Sequence, residues 1–336
     1  MAPAPIKRQS EQGAGSAGRG SWDAVVVGGG LAGLSAALYL GRSPWRALLI
    51  DAGESMARWE PIVENYLGFP EGLSGQKLLD LGRVQVRKFG VHTVHDRITR
   101  VRKDDEAFLL EGAASYRSSR VLLATGLTHL LPDIPGAEVC QGRSVLFCKD
   151  CDALRVRGKR IAIYGRRNEA ARYALAMLAF SPSVTVVTDG ETPVWDHTWQ
   201  QALEEHGVPV RGEPVNTLLH RDGSLEGILF QDGTRCEVEA MFTTRGDVYH
   251  TALAEGLGAE EDEEGQLIVD GDMRTSVPGL YAAGCVTPAN CQMIIAAGQG
   301  ATAAQAIDHD LFNECWRSRA LPRIGTTGPE NQGVLH

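Results

Sequence analysis

The chain has 336 residues, of which 43% are hydrophobic, and its formal net charge is -9 at pH 7. This length predicts two globular domains, and the apolar fraction is large enough to give each of them a core. The acidic balance argues against nucleic acid as a ligand, and no apolar run reaches the roughly 20 residues that a membrane span needs.

The two ends of the chain and its cysteines indicate the type of protein. Residues 1–21 lack the apolar segment of a signal peptide and are expected to form a disordered leader, and the polar tail at 317–336 is expected to be loosely held. Of seven cysteines, only Cys148 and Cys151 form a C-x-x-C motif, which is not the pattern of a disulfide-rich secreted protein. We therefore expect a cytoplasmic protein in which most other cysteines are buried thiols.

A strand, a glycine turn, a helix and a second strand are predicted at the start of the folded chain. The apolar run Ala24–Val27 leads into a turn with the pattern Gly28-x-Gly30-x-x-Gly33, and a helix is predicted from Leu31 to Leu40. The next apolar run ends at Asp51, about 20 residues past the turn, where a carboxylate can accept hydrogen bonds from ribose hydroxyls. This arrangement predicts a dinucleotide site, and the alternative is a tight turn without a ligand.

Further elements follow in chain order. A helix is predicted from Gln76 to Phe89, and an apolar strand at 121–124 ends at Thr125-Gly126. A second strand, turn, helix and strand pattern runs from Arg160 to Val187, with Gly165 at the start of its turn. Beyond it lie a β-rich stretch at 210–242 with two Asp-Gly hairpin signals, an apolar strand that reaches Gly284, and a helix from Gln292 to His309.

The C-x-x-C motif predicts thiol–disulfide chemistry. Its spacing places the two sulfurs within bonding reach, and such motifs often lower one thiol pKa toward neutrality. One alternative is half of a zinc site, although no second pair of cysteines or histidines lies at suitable spacing. The other is an inert pair of buried thiols, which the polar residues Lys149 and Asp150 between the cysteines disfavour.

Five landmarks in this order resemble the low-molecular-weight thioredoxin reductase family of flavoproteins. They are Gly28 to Gly33 with Asp51, Val63 to Phe69, Ala124-Thr125-Gly126, Cys148-x-x-Cys151-Asp152, and Pro278 to Gly284 followed by Gln292 and Ala296-Ala297-Gly298. The resemblance implies an α/β fold with two Rossmann-like dinucleotide-binding domains, the second inserted in the first. It places FAD on residues 22–129 and 247–316, and a redox-disulfide domain at 130–246.

The resemblance also implies the roles of individual residues. Cys151 is expected to face the flavin, Cys148 to exchange with the substrate, and Asp152 to supply a proton. Residues expected to hold FAD, besides the three glycines of the turn, are Leu31, Ala32, Asp51, Asn65, Ala124, Thr125, Gly126, Gly284, Cys285, Gln292 and Met293. No metal is expected.

The second turn departs from the family pattern. It reads Gly165-Arg166-Arg167-Asn168-Glu169-Ala170, so Arg167 occupies the middle glycine position, where a side chain fills space that a pyrophosphate uses. After the next strand, Asp189 stands where the family has basic residues, and it would repel a 2′-phosphate. These two departures argue against NADPH as a ligand. The site could instead take NAD or a second FAD, with Arg166 or Arg167 on the phosphates, or serve only as a scaffold.

With these departures, the chain resembles the NADPH-independent branches of the family. These branches include ferredoxin-dependent flavin thioredoxin reductases, diflavin-linked disulfide oxidoreductases and dithiol oxidases. A ferredoxin near ~-400 mV feeding a thioredoxin near ~-270 mV is downhill by roughly 6 kcal/mol for two electrons. We expect an FAD-dependent disulfide oxidoreductase, a homodimer by resemblance, that acts on a thioredoxin-like protein or a small dithiol or disulfide. A dithiol oxidase that uses oxygen and a flavin redox sensor without turnover are the alternatives.

One further departure concerns the last landmark. Cys285 replaces the family's aspartate after Ala-Ala-Gly, and Cys291 replaces the arginine before Gln292. Two small buried thiols are the favoured interpretation of this pair, and a second redox pair near the flavin is the alternative.

Overall fold

The computed structural model describes residues 21–104 and 107–322, so most of the expected leader and of the expected tail lies outside the described residues. The described strands are β1 (Trp22–Val27), β2 (Ala47–Asp51), β3 (His92–His95), β4 (Arg100–Lys103), β5 (Phe108–Glu111), β6 (Ser115–Leu123), β7 (Leu127–His129), β8 (Val145–Leu146), β9 (Ile161–Tyr164), β10 (Val184–Val187), β11 (Val210–Arg211), β12 (Val215–Arg221), β13 (Ser224–Phe230), β14 (Arg235–Cys236), β15 (Ala240–Thr243), β16 (Asp247–Tyr249) and β17 (Leu280–Ala282). The described α-helices are α1 (Leu31–Leu40), α2 (Gly75–Lys88), α3 (Ala137–Cys140), α4 (Lys149–Asp152), α5 (Asn168–Met177), α6 (His197–Glu205), α7 (Ala252–Glu255) and α8 (Met293–Arg317), and a 3₁₀ turn covers Met56–Trp59.

The first sheet has the order β3-β2-β1-β6-β5-β4, and β17 lies beside β6. Its central strand β1 pairs in parallel with β2 and β6, so Val25 lies between Leu48 and Val121. Residues 24–26 are fully buried. Their continuous apolar sequence follows from this burial, because a strand that is covered on both faces has apolar side chains on both. Helices α1 and α8 pack together on one face of this sheet.

The second sheet has the order β11-β10-β9-β15-β8 and is parallel throughout. Its central strand β9 places Ile161 between Val184 and Ala240. The buried side of α5 packs on this sheet together with Leu203 of α6. The two strand–turn–helix–strand modules predicted from the sequence are both present, with strand bounds within two residues of the prediction.

A three-stranded antiparallel sheet, β12-β13-β14, covers part of the second sheet. Asp222 and Gly223 connect β12 to β13 with positive φ angles of 51° and 82°. Two consecutive positive φ angles define the turn that best matches the twist of a hairpin, and Asp-Gly is a preferred sequence for it. The hairpin prediction is confirmed at this position.

A short antiparallel ribbon of β7 and β16 lies where the chain leaves the first sheet and returns to it. Within it, His129 Nδ1 lies 2.5 Å from Asp247 Oδ1, and the His129 ring stacks on Phe147. The chain returns to the first sheet as β17, so the second sheet is inserted in the first unit. This assignment of strands to the two sheets supports the domain boundaries predicted near residues 129 and 247. The boundaries themselves stay a prediction.

Within the described residues, no helix is long and apolar enough to cross a membrane.

Candidate active site

The turn between β1 and α1 is built on glycines that have no room for a side chain. A Cβ at Gly28, which has a φ of +108°, would lie 2.3 Å from the carbonyl oxygen of Ala124. A Cβ at Gly33 would lie 1.8 Å from the carbonyl oxygen of Gly28. These two glycines let the strand, the turn and the helix pack closely.

Gly30 is different, because the protein itself does not require a glycine there. Its φ is an ordinary -74°, and the nearest atom to a Cβ would be Ser55 Oγ at 3.4 Å. Gly30 is the N-cap of α1 and no side chain caps that helix end, so its free N–H groups are available to a phosphate. A glycine at this position is explained by the close approach of a pyrophosphate, so the turn fits FAD.

Asp51 lies at the end of β2 beside this turn. Its Oδ1 accepts hydrogen bonds from the backbone N–H of Gly29 at 3.2 Å and of Gly53 at 2.9 Å. A Cβ at Gly29 would lie 2.2 Å from this carboxyl group. The carboxylate is thus oriented next to the glycine turn, as a ribose ligand would require. The role of Gly29 was not predicted, although the run of three glycines was a signal for it.

The other residues predicted to hold FAD lie at three places. The backbone of Ala124 packs against Gly28, and a Cβ at Gly284 would lie 3.0 Å from the Ala32 Cβ. These residues therefore border the turn, together with Leu31 at the start of α1. Thr125 and Gly126 lie beside residue 250, because Thr125 Oγ1 donates to the carbonyl of His250 and Gly126 accepts from its N–H. Gln292 and Met293 lie at the start of α8, where the Asn65 side chain contacts Gln292.

The Cys148–Cys151 disulfide is formed, and side chains of the first unit contact it. Gln292 Nε2 lies 3.4 Å from Cys148 Sγ and 3.6 Å from Cys151 Sγ. Asn65 Nδ2 donates to Gln292 Oε1 at 3.0 Å and lies 3.8 Å from Cys151 Sγ. The fold therefore brings the disulfide against two residues that the sequence assigned to the flavin.

The two cysteines have different surroundings. Cys148 is half-buried and is the N-cap of α4, and its Sγ accepts a hydrogen bond from the backbone N–H of Cys151 at 3.1 Å. That N–H would stabilise a thiolate on Cys148. Cys151 is exposed, and its Sγ contacts Asn65 as well as Gln292, which also contacts Cys148. These positions agree with Cys151 on the flavin side, and the division of roles stays a prediction.

Asp152 is buried directly after the disulfide. Burial raises its pKa to about 7, and Arg155, at 2.8 Å, opposes this effect while the Glu60 carboxylate adds to it. Burial also raises the pKa of Glu60. A carboxyl group that titrates near neutral pH is suited to hold and release a proton. Arg155 was not predicted, although its i,i+3 spacing was a signal, whereas nothing in the sequence linked Glu60 to this site.

Comparison with known proteins agrees with this arrangement. Residues 22–308 match the family described as pyridine nucleotide-disulphide oxidoreductase. The chain belongs to this family. A thioredoxin reductase of Treponema pallidum (strain Nichols) is 30% identical over 295 residues, which cover 85% of this chain and 95% of the relative.

Solved structures extend the comparison to the fold. HlmI is 29% identical, with a TM-score of 0.84 over 91% of this chain and 97% of HlmI. A thioredoxin reductase from Streptococcus pyogenes MGAS5005 is 26% identical, with a TM-score of 0.82 over 87% of this chain and 98% of that one. This pyridine nucleotide-disulphide oxidoreductase therefore has a thioredoxin reductase-like fold and is a flavoprotein oxidoreductase that acts on sulfur groups. The family implies FAD.

A cavity of about 640 Å³ lies between the turn of the second module and the chain that returns to the first unit. Residues that line it include Gly165, Arg166 and Arg167 of the turn, with Arg245 and Tyr249 from the other side. Arg167 is the N-cap of α5, the position that Gly30 holds in the first module. Arg166 forms an ion pair with Glu191 and accepts a hydrogen bond on its carbonyl from Val194 N–H at 2.8 Å.

Asp189 has a structural role in this module. One carboxylate oxygen accepts the Tyr164 hydroxyl and the other accepts the Val215 N–H at 2.6 Å. Asp189 has a φ of +53° and is not among the residues that line the cavity. The predicted contact between Asp189 and a second ribose stays a prediction, for which this geometry offers no support.

The expectation of two buried thiols at the last landmark was wrong. Cys285 and Cys291 form a disulfide, and Cys291 is exposed. The wider expectation that most other cysteines are buried thiols was also wrong, because among the free cysteines of the described residues, Cys140, Cys236 and Cys315, only Cys140 is buried. The Cα atoms of Cys285 and Cys291 are 5.0 Å apart because of the way the chain turns between β17 and α8. The sequence pattern alone did not indicate this turn.

No group of three or more potential metal ligands is found in residues 21–104 and 107–322.

Proposed function

We propose that the protein is an FAD-dependent disulfide oxidoreductase that exchanges electrons between flavin, the Cys148–Cys151 disulfide and a thioredoxin-like protein or a small dithiol or disulfide, without using NADPH. The main support is one contrast in the structure. The unit whose residues Asn65 and Gln292 contact the disulfide has a glycine turn that fits a pyrophosphate, whereas the second turn has Arg167 at its middle position.

FAD, when bound, supplies two-electron transfer to or from a disulfide. In the favoured direction, the freed Cys148 sulfur attacks one sulfur of the substrate disulfide, whose S–S bond breaks, and the departing sulfur takes a proton from Asp152. Cys151 then attacks Cys148, which reforms the Cys148–Cys151 bond and releases the second substrate thiolate. The backbone N–H that contacts Cys148 Sγ and the raised pKa of Asp152 support these two roles.

The charge of the second cavity supports independence from NADPH. Its lining contains three arginines, Arg166, Arg167 and Arg245, against five carboxylates, Glu169, Glu191, Asp247, Glu263 and Glu264. Arg166 is already paired with Glu191, and Arg245 donates to the Tyr164 hydroxyl at 3.1 Å. An excess of carboxylates opposes a ligand that carries a pyrophosphate and a 2′-phosphate.

A low-potential ferredoxin is the donor that we favour, because its electrons reach a thioredoxin-like disulfide downhill without a nicotinamide. We also propose a homodimer in the cytoplasm. Exposed apolar side chains on the packed helices α1, α2 and α8, namely Tyr39, Val84, Phe312 and Trp316, support self-association, and the three free thiols suit a reducing compartment.

Anaerobic stopped-flow spectroscopy tests the choice of donor. We expect equimolar NADPH to leave the flavin absorbance unchanged within seconds, and a reduced low-potential ferredoxin or dithionite to bleach it and open the disulfide. Rapid bleaching by NADPH would refute the proposal and return the protein to NADPH-dependent thioredoxin reduction. With a dithiol and oxygen, steady peroxide formation would instead favour the oxidase, and a flavin that no disulfide protein reoxidises would favour the sensor.

The roles of the two cysteines are tested with single variants. Cys148→Ser leaves Cys151 as the free sulfur beside the flavin, so we expect a long-wavelength charge-transfer band that Cys151→Ser lacks. Cys236→Ser is the matched control, because this half-buried thiol lies in β14 and should leave the spectrum unchanged. The band in Cys151→Ser alone would reverse our assignment.

A further inference from the structure

A second disulfide, Cys285–Cys291, closes the loop between β17 and α8. Cys285 is half-buried and Cys291 is exposed. The cross-link spans a sequence separation of only six, so its entropic stabilisation of the fold is at the small end for a disulfide. An exposed disulfide is also the kind that external thiols reach.

The two halves of this loop are held differently. The first half is anchored: Gly284 N–H donates to Gln299 Oε1 at 2.8 Å, Leu267 N–H donates to the Val286 carbonyl at 2.9 Å, and Thr287 is fully buried. In the second half, Pro288, Asn290 and Cys291 are exposed, and the backbone hydrogen bonds found there join only close neighbours in the chain, such as Gln292 N–H to the carbonyl of Asn290. The disulfide ties the exposed half to the anchored half.

The exposed half ends at the reactive disulfide. Cys291 is followed directly by Gln292, whose side-chain amide contacts both Cys148 Sγ and Cys151 Sγ and accepts from Asn65. The anchored half begins at Gly284, which packs on Ala32 at the glycine turn. The second disulfide therefore lies in the segment that joins the glycine turn to the first disulfide.

We propose that Cys285–Cys291 is a second redox-active pair, which external dithiols open at Cys291 and whose state controls how firmly Gln292 is held against the Cys148–Cys151 pair. A thiolate of the dithiol attacks the exposed Cys291 Sγ, the bond to Cys285 Sγ breaks, and Cys285 leaves as a thiolate. The second thiolate of the dithiol then attacks its own mixed-disulfide sulfur and releases Cys291. Two electrons and two protons pass from the dithiol, which becomes a disulfide, to the cysteine pair.

This inference goes beyond the proposed function and does not depend on the electron donor. Opening the pair frees residues 288–291 from the anchored half of the loop, so Gln292 loses the support on its N-terminal side. The same class of reactant that the first disulfide exchanges with would thus also set the state of the second.

Differential alkylation of the native protein tests the first part. The protein is treated anaerobically with dithiothreitol, alkylated without denaturant, and each cysteine is quantified by mass spectrometry. We expect Cys285 and Cys291 to become labelled together, while the buried Cys140 stays unlabelled until the protein is denatured. If both stay unlabelled while Cys148 and Cys151 react, the second disulfide is a structural cross-link and the proposal fails.

The double variant Cys148→Ser/Cys151→Ser shows how the second pair is reached. Labelling of Cys285 and Cys291 should persist in this variant, because the dithiol attacks Cys291 directly. Loss of labelling would overturn direct opening. NADPH takes no part in either experiment, so these outcomes are separate from the test of the proposed donor.

The effect on the first pair is tested with Cys285→Ser/Cys291→Ser. At matched flavin content, we expect the rate at which dithiothreitol opens Cys148–Cys151 to change by about fivefold or more, the lower end of couplings between sites. Cys236→Ser should leave this rate unchanged. An unchanged rate in the double variant would overturn control through Gln292, and if that variant fails to fold, the wild-type labelling still decides whether the pair is redox-active.

Discussion

The two strand–turn–helix modules of this protein have the same backbone plan and different chemistry. In each, two parallel strands pair over four residues and a ten-residue helix follows the glycine turn. Gly165 keeps the glycine that packing needs, since a Cβ there would lie 2.1 Å from Thr244 Oγ1. Packing does not require Gly30 in the first module, and the equivalent position in the second is Arg167.

This difference separates glycines that the packing requires from Gly30, which the packing does not require and which we assign to a ligand. The second turn is also covered by the loop that follows β10, because Asn168 exchanges two hydrogen bonds of 2.8 Å with Asp196. The second module has kept the packing of a dinucleotide-binding unit and carries the disulfide and its acid. A module of this fold therefore does not by itself show that a nucleotide binds.

The largest expected effect comes from a side chain at the middle position of the first turn. Gly30→Val should fold, because a Cβ has space there, and should lose its FAD because the side chain occupies the path of the pyrophosphate. Arg167→Val is the matched change in the second module and should keep full FAD. The flavin-to-polypeptide ratio after gel filtration measures both, and a yellow Gly30→Val protein would contradict the assignment of the first turn.

The next effect concerns the acid that the second module carries. Because Asp152 has a pKa of about 7, the fraction that can donate a proton falls as the pH rises through 7, and so should the rate of disulfide reduction. Asp152→Asn should lower kcat by about a hundredfold, the lower end for a lost general acid, and remove this pH dependence. Steady-state kinetics across neutral pH measures the profile, and an unaltered profile in the variant would assign the proton to another group.

A matched pair of carboxylates gives a smaller effect. Asp51→Ala should weaken FAD binding by about thirtyfold, because hydrogen bonds to a charged group contribute about 2 kcal/mol. Asp189→Ala removes the contacts with Tyr164 and Val215, so it should lower the free energy of unfolding by a similar ~2 kcal/mol and leave FAD affinity unchanged. Flavin titration and denaturant unfolding distinguish the two, and weaker FAD binding in Asp189→Ala would end the contrast.

The smallest effect is expected from restoring the middle glycine of the second turn. Arg167→Gly removes the side chain, and glycine is tolerated at an N-cap, but the five carboxylates of the cavity remain. NADPH binding should improve by no more than about tenfold, or ~1.4 kcal/mol. Titration with NADPH measures this change. Full recovery of rapid flavin reduction would show that the single side chain, and not the charge of the cavity, decides the donor.

Local sequence patterns determined much of this protein. The glycine turns, the apolar strands of the two modules and the C-x-x-C motif each depend on residues close together in the chain, and the module strands were predicted to within two residues. The strand predicted at 121–124 instead begins at Ser115, and the helix predicted to end at His309 continues to Arg317. Glycine spacing reports backbone geometry directly, because a Cβ at the wrong residue overlaps the neighbouring backbone. The two Asp-Gly hairpin signals were equally reliable, since they require only a local pair of positive φ angles at 222–223 and a positive φ at 233.

The tertiary structure decided the rest, because those features join residues that are far apart in sequence. Asn65 and Gln292 are separated by 227 positions and meet at the reactive disulfide only in the folded chain. The raised pKa of Asp152 depends on burial and on Glu60, and the Cys285–Cys291 pairing depends on the path of one loop. Burial and long-range contact have no local pattern, so these properties of the site follow from the fold and not from any single segment of the chain.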